Sequence, residues 1–223
     1  GKFKESLERF THIGAIDKWQ IVGPFENIMG SGFDRNNDPI SMPEANKKFK
    51  SHDNADIHWF TPAYPSREQW VPLHSHIKEK SGIIYAQSFV YSDSDKETVL
   101  CAGFIGNIKV WLNDVEIITE REERVTELDS YKVRCKLKKG YNRILVQIGF
   151  FEQGSPSFMI RLTDNNYVPL KGLSWKSEYE KYSKGTASDK IEEIPHFAES
   201  FFLEKIKKDP ENPINYLLLY ETY

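Results

Sequence analysis

The chain has 223 residues, a net charge of −3, 39% hydrophobic and 13% aromatic residues. That length suits one large domain, or a domain with an appendage, and the apolar content is enough for a core. The slight negative charge argues against a nucleic-acid binder, and no apolar run reaches membrane-spanning length.

Phe3 to Phe10 reads as a short helix, with Phe3, Leu7 and Phe10 on one side. Trp19 to Phe25 reads as an opening strand stopped by Gly23-Pro24. Residues 26–43 are loop-like, with Gly30, Gly32, Asn36, Asn37, Asp38, Pro39 and Pro43, yet they carry Phe33 and Met42. Loops of that length are functional or packed by their own side chains. Residues 44–57 are polar, and Ile57, Trp59 and Phe60 suggest a short strand. An aromatic, proline-punctuated connection follows, with Tyr64, Trp70, Pro62, Pro65 and Pro72. His74 and His76 share one face of any strand there, and without a third ligand they read as surface histidines.

The densest strand signal runs from Ile83 to Gly149. Ile83–Tyr91 and Thr98–Phe104 are apolar runs separated by Ser92-Asp93-Ser94-Asp95, read as a polar hairpin loop rather than a calcium loop. Ile108–Leu112, Asn113-Asp114 and Val115–Ile118 read as strand, two-residue turn and strand, because Asn and Asp tolerate left-handed dihedrals. Glu120–Glu127 is charge-dense and reads as a solvated hairpin or loop. Tyr131, Val133, Cys135 and Leu137 alternate with basic residues, predicting one buried and one wet face. Lys139-Gly140 then turns the chain into Ile144, Val146 and Ile148, with Arg143 and Gln147 opposite. Phe158, Ile160 and Leu162 form a further strand, with Met159 and Arg161 facing out, and segments near Val168 and Trp175 close the fold.

Composition changes at Lys176. Residues 176–190 form a polar connection. Residues 191–208 read as a helix on the spacing of Ile194, Phe197, Phe201 and Ile206, and Ile214 starts another. The expected fold is mainly β, an antiparallel jelly-roll β-sandwich over 1–175, with a short α-helical C-terminal segment over 191–223.

Little points to reaction chemistry. The cysteines, Cys101 and Cys135, fall in different strands and read as buried small hydrophobes ahead of a disulfide. There is no Gly-x-Ser-x-Gly, no phosphate-cradling glycine loop, and no recognisable carboxylate pair across a cleft. No enzyme, metal site or cofactor is expected. The candidate ligand-binding residues are Trp59, Tyr64, Trp70, Trp111 and Asn113, since aromatic rings stack on sugar faces and planar polar groups bond hydroxyls. The competing reading has large aromatics filling the core, and Trp111 covering a sheet face beneath the long loop.

Two resemblances are carried by motifs. Ala198, Phe202 and Pro210, followed by Tyr216, Leu219 and Tyr223, resemble the end of one tetratricopeptide repeat and the start of the next, with departures at Lys205 and Tyr220. The order Trp19…Gly23-Pro24-Phe25, Gly32-Phe33-Asp34, Pro43-Glu44, Trp59, Tyr85-Ala86, Val110-Trp111-Leu112-Asn113 and Leu137 to Val146 resembles a galactose-binding-like jelly roll. It is similar to the non-catalytic sugar-binding domain of family 2 glycoside hydrolases. It is closer still to N-terminal regions of large exported bacterial proteins, often from Bacteroidetes, where such a sandwich precedes tetratricopeptide repeats and a transglutaminase-like domain. Asp114 stands where that family usually has Gly.

The resemblance implies a non-catalytic accessory module of a larger, extracytoplasmic protein, its signal peptide already removed; the first residue, Gly1, fits a processed or cloned fragment. A glycan is the expected partner. The alternative is a scaffold that caps a helical repeat array and binds protein, upstream of a hydrolase or transglutaminase-like domain in the same longer chain.

Overall fold

A computed structural model describes residues 13–63, 69–77, 79–151, 155–186, 189 and 191–221. The Phe3–Phe10 segment, Tyr64, Pro65 and Tyr223 lie outside them. In chain order the strands are β1 (Gln20–Phe25), β2 (Lys48–Lys50), β3 (Asp56–His58), β4 (Val71–Pro72), β5 (Gly82–Ser92) and β6 (Lys96–Leu112). They continue as β7 (Val115–Val125), β8 (Tyr131–Leu137), β9 (Gly140–Phe150), β10 (Ser157–Thr163), β11 (Leu173–Lys176) and β12 (Glu192–Ile194). Two helices close the chain, α1 (Phe197–Lys208) and α2 (Pro213–Tyr220).

The architecture turns on β6. Its first half pairs with β10 and β8, and its second half with β9 and β7, all antiparallel. One long strand therefore serves two sheets. The first sheet runs β1 and β11, β5, β9, β6, β7; the second runs β4, β10, β6, β8, β12. The apolar runs at 98–104 and 108–112, which look like separate strands, are one. The register shifts between Gly106 and Ile108. Gly106 has φ +118°, and a Cβ there would lie 2.5 Å from the Gly149 carbonyl oxygen, so the crossover is built on a residue without a side chain.

Between the sheets lies a dry core: Ile84, Ala86 and Val90 of β5, Leu100, Phe104, Ile108 and Val110 of β6, Val133, Cys135 and Leu137 of β8, and Ile144, Val146 and Ile148 of β9. The alternation along β8 and β9 put these residues inward. Both cysteines are free and buried. Burial pushes the Cys101 thiol up to about 11 and the Cys135 thiol up to about 12.

Several local readings change. The 92–95 connection is not a hairpin, because β5 and β6 do not pair; it carries the chain from β5 into the half of β6 that belongs to the second sheet. Asp93 pairs with Lys96, and Asp95 accepts from the Lys139 backbone N–H at 2.9 Å. The charge-dense 120–125 stretch is not a loop but the second half of β7, twisting along β6 as far as Ile105. Met159 and Arg161 do not face out; they are buried on the far face of the second sheet, where Arg161 Nε lies 3.2 Å from Asp129. His74 sits on a 3-10 turn rather than a strand, with His76 capping it. Residues 192–194 are strand, not helix, and pair with β8 along Arg134, Val133 and Lys132.

α2 begins with Pro213 after Asn212, whose side chain accepts from Ile214 N–H at 3.1 Å. No residue of α1 or α2 is buried.

Candidate functional site

The sequence puts Arg143 and Gln147 opposite Ile144, Val146 and Ile148, on what is the outer face of the first sheet. Both are fully buried, along with Gln87 and Tyr85. The reason is nonlocal: residues 26–60 lie over this face. Their apolar anchors, Phe49 and Trp59, pack with Val22, Phe25, Ile83, Tyr85, Trp111 and Leu145, joined by Ile40 and Met42. Beneath that layer, sheet side chains capture loop backbone. Arg143 donates to the carbonyls of Pro39 (2.7 Å) and Ile40 (2.8 Å), and to Gln87 (3.1 Å). Gln87 donates to Pro43 O at 2.8 Å, and Gln147 to Phe33 O at 2.9 Å. Tyr85 donates to Gln147 at 2.8 Å and accepts from Asn37 at 3.1 Å; burial pushes its hydroxyl up to about 12. A buried polar group unpaired is expensive, and here each has a partner.

Three of the expected ligand-binding residues are consumed by this packing. Trp59 is 3% exposed, donates its indole N–H to Met42 O at 3.1 Å, and meets Phe49 edge-on. Trp111 is 6% exposed beneath the covering segment. Neither ring has a face left for a sugar. Asn113 is also buried. With φ +53° it makes the hairpin turn, donates to Asn142 Oδ1 at 2.8 Å and accepts from the Arg143 N–H at 2.9 Å. It is a clasp between β9 and the β6–β7 turn. Trp70 is half-buried on the outer face of the second sheet, against Gly103: a Cβ at 103 would meet its ring at 3.0 Å and the Glu127 carbonyl at 2.6 Å. Tyr64 lies outside the described residues; of the other four, Trp70 stands on the second sheet, apart from Trp59, Trp111 and Asn113.

Two concavities lined by described residues bear on function. The first, about 300 Å³, opens in the covering segment. Phe25 and Phe49 line it, ring centroids 6.3 Å apart, and Asn36, Asn37, Asp38 and Lys48 surround them. Lys50 and Asp56 close one side as an ion pair at 2.6 Å, which holds the Asp56 carboxyl below its ordinary value. Asn37 is engaged with Tyr85. The side chains of Asn36, Asp38 and Lys48 make no hydrogen bond or ion pair among the described residues. The sequence flagged this loop as packed or functional; nothing in it marked these polar residues, because the pocket needs β2 and β3 to fold back on the loop.

The second concavity, about 660 Å³, lies between β7, β8, β12 and the start of α1. Tyr131 is half-buried there; its hydroxyl donates to Glu120 at 2.5 Å, and burial followed by that carboxylate pushes it up. Among the described residues no group of His, Cys, Asp and Glu is placed to hold a metal ion. No helix among them is long and apolar enough to cross a membrane.

No protein-family model matches the chain, and no curated protein matches it. Solved structures with partial likeness exist. The β-glucosidase from Kluyveromyces marxianus in complex with glucose is 16% identical over 65% of this chain and 16% of its own, with a TM-score of 0.43. A family 35 carbohydrate binding module from an environmental isolate is 20% identical, covering 42% of this chain and 69% of its own, with a TM-score of 0.29. The PA14 domain of the MpAFP antifreeze protein is 14% identical, covering 46% of this chain and 56% of its own, with a TM-score of 0.33. At these scores the resemblance is one of β-sandwich parts and says nothing about ligand.

Proposed function

We propose that this chain is a non-catalytic accessory module that binds carbohydrate and belongs to a larger exported, multidomain protein. The observation that carries the reading is the pocket in the covering segment. Aromatic rings line it, and unengaged Asn36, Asp38 and Lys48 stand around it, offering an amide, a carboxylate and an ammonium. A sugar presents apolar C–H faces and hydroxyls that both donate and accept, so it matches that mixture. The volume is at the lower end of the usual range for small-ligand sites and suits a single terminal sugar.

The test is a glycan screen of the chain, with titration calorimetry on each hit. Saturable binding that Asn36→Ala with Lys48→Ala abolishes, with the circular dichroism spectrum unchanged, supports the reading. Binding that survives both substitutions places recognition elsewhere, and no binding across plant, host and bacterial glycans removes it.

A second reading, a scaffold that presents helical repeats to a protein partner, is favoured by one observation. α1 and α2 expose Phe197, Ile214, Leu217 and Tyr220, at 58–75% each, on a segment that β12 ties to the sandwich. Pull-down of a specific partner that Phe197→Ser with Leu217→Ser abolishes would support it; glycan binding without such a partner would count against it.

A further inference from the structure

The cleft between the sandwich and α1 is distinct from the pocket just described. Its walls come from both parts of the chain: Glu120 and Arg124 of β7, Tyr131 of β8, Glu193 of β12 and Glu199 of α1, with Glu127 in the turn between β7 and β8. At about 660 Å³ it is well inside the size range of ligand sites, which favour such junctions.

Its polar groups are only partly used. Glu120 accepts from Tyr131 and lies 3.1 Å from Arg124 Nε; Arg124 also donates to Glu122 at 3.1 Å. Arg124 Nε is nonetheless buried without a well-formed hydrogen bond among the described residues. The carboxylates of Glu127 and Glu193 make no hydrogen bond or ion pair among them. Lys132 lines the cleft too, but its ammonium stands 5.2 Å above the Tyr167 ring.

These groups select a class of ligand by elimination. An anion would satisfy Arg124 but face the four glutamates. A cation would satisfy Glu127 and Glu193 but face Arg124 and leave its buried Nε without an acceptor. A hydroxyl accepts from a guanidinium and donates to a carboxylate at once, and vicinal hydroxyls do so at neighbouring positions. The Tyr131 ring, with Val125 and Ile194 beside it, supplies apolar surface for C–H groups. We infer that the cleft is a second binding site, for a short neutral oligosaccharide. Because β12 and α1 form one wall, occupation also ties the helical segment to the sandwich.

The inference does not depend on the pocket at Asn36, and amide chemical shifts separate the two. The chain is titrated with maltotriose, cellotriose and N,N′,N″-triacetylchitotriose, with a glucosamine trimer and a galacturonic acid trimer as the charged arms. The expected result is saturable shifts at residues 119–132 and 193–199 with at least one neutral sugar, and slower amide hydrogen exchange in the first turn of α1. In Glu127→Gln with Glu193→Gln, affinity read at those amides falls about tenfold, while any shifts at 36–38 and 48–56 are unchanged. These surface changes leave the core untouched. Cleft amides that respond to none of the neutral sugars overturn the inference. So does a response to the glucosamine trimer alone, which is the behaviour of an acidic patch, or binding indifferent to the double variant. Shifts at 36–38 alone would leave the proposed function standing and remove only this second site.

Discussion

Two segments are attached to the same sandwich in opposite ways. Residues 26–60 bring their own aromatics down onto the first sheet and give their backbone carbonyls to buried Arg143, Gln87 and Gln147. The helices α1 and α2 touch each other, and Phe197 and Phe201 of α1 stack with centroids 6.0 Å apart, yet neither helix buries a residue. The covering segment is part of the fold although it has almost no regular structure; the helices are regular yet contribute no core. Periodicity therefore says little about which segments hold a fold together. What decides is apolar area removed from water and polar groups left with partners.

The sharpest test of that contrast is Trp59→Ala. Trp59 fills space between Phe49 and the sheet, so its loss combines lost burial with a cavity, and stability should fall by roughly 3–5 kcal/mol. Urea midpoints at unchanged slope measure it. A loss under about 1 kcal/mol would mean that the segment is a loose cover rather than core.

Arg143→Met comes next. The side chain is fully buried and its guanidinium holds two loop carbonyls, Gln87, and Asp114 at 3.2 Å. Methionine keeps much of the volume but takes the donor from the Pro39 and Ile40 carbonyls and from Gln87, while Asp114 keeps Tyr182 and Lys184, a loss of about 3 kcal/mol. Proteolysis should then cut preferentially within 26–43. Unchanged cleavage there would mean that the aromatic layer alone holds the segment down.

Phe201→Ala sets the other side of the comparison. Its ring is 42% exposed on α1, so global stability should stay within about 0.5 kcal/mol of the parent. A larger loss in thermal unfolding would show that the helices share the cooperative unit of the sandwich.

How far the sequence revealed this arrangement depends on where the deciding contact lies. The Asn113-Asp114 turn was legible because turn chemistry is local: both residues have positive φ, 53° and 69°. The inward face of β8 was legible because alternation is local too. That Arg143 and Gln147 are buried was not legible, because their cover is about 100 residues away; the hint was Phe33 and Met42 inside a loop otherwise rich in Gly, Pro and Asn. The same fact undid the ligand-site assignment. Trp59 and Trp111 looked available while the loop was unplaced, and the loop is what they pack against. Asn36, Asp38 and Lys48 are ordinary polar residues until β2 and β3 bring them to one rim.

The smallest expected effect is electrostatic. Asp34, on the covering segment, pairs with Arg121 of β7 and with Lys109 of β6 at 3.1 Å, and both cations also lie over the Phe33 ring. The hydrogen bond from Arg121, then that from Lys109, holds the carboxyl below its ordinary value. A carboxyl with a depressed folded-state value adds stability that is present in full above its unfolded value and is lost as pH falls through the folded one. The group is exposed, so the contribution is a few tenths of a kcal/mol, and salt screens it. Asp34→Asn should therefore be slightly less stable than the parent at pH 7 in low salt, and the two should converge below about pH 4 and in high salt. A gap that persists unchanged in acid would assign the effect to packing of the 33–34 turn. Convergence would show that even the outer margin of this cover is fastened by charge.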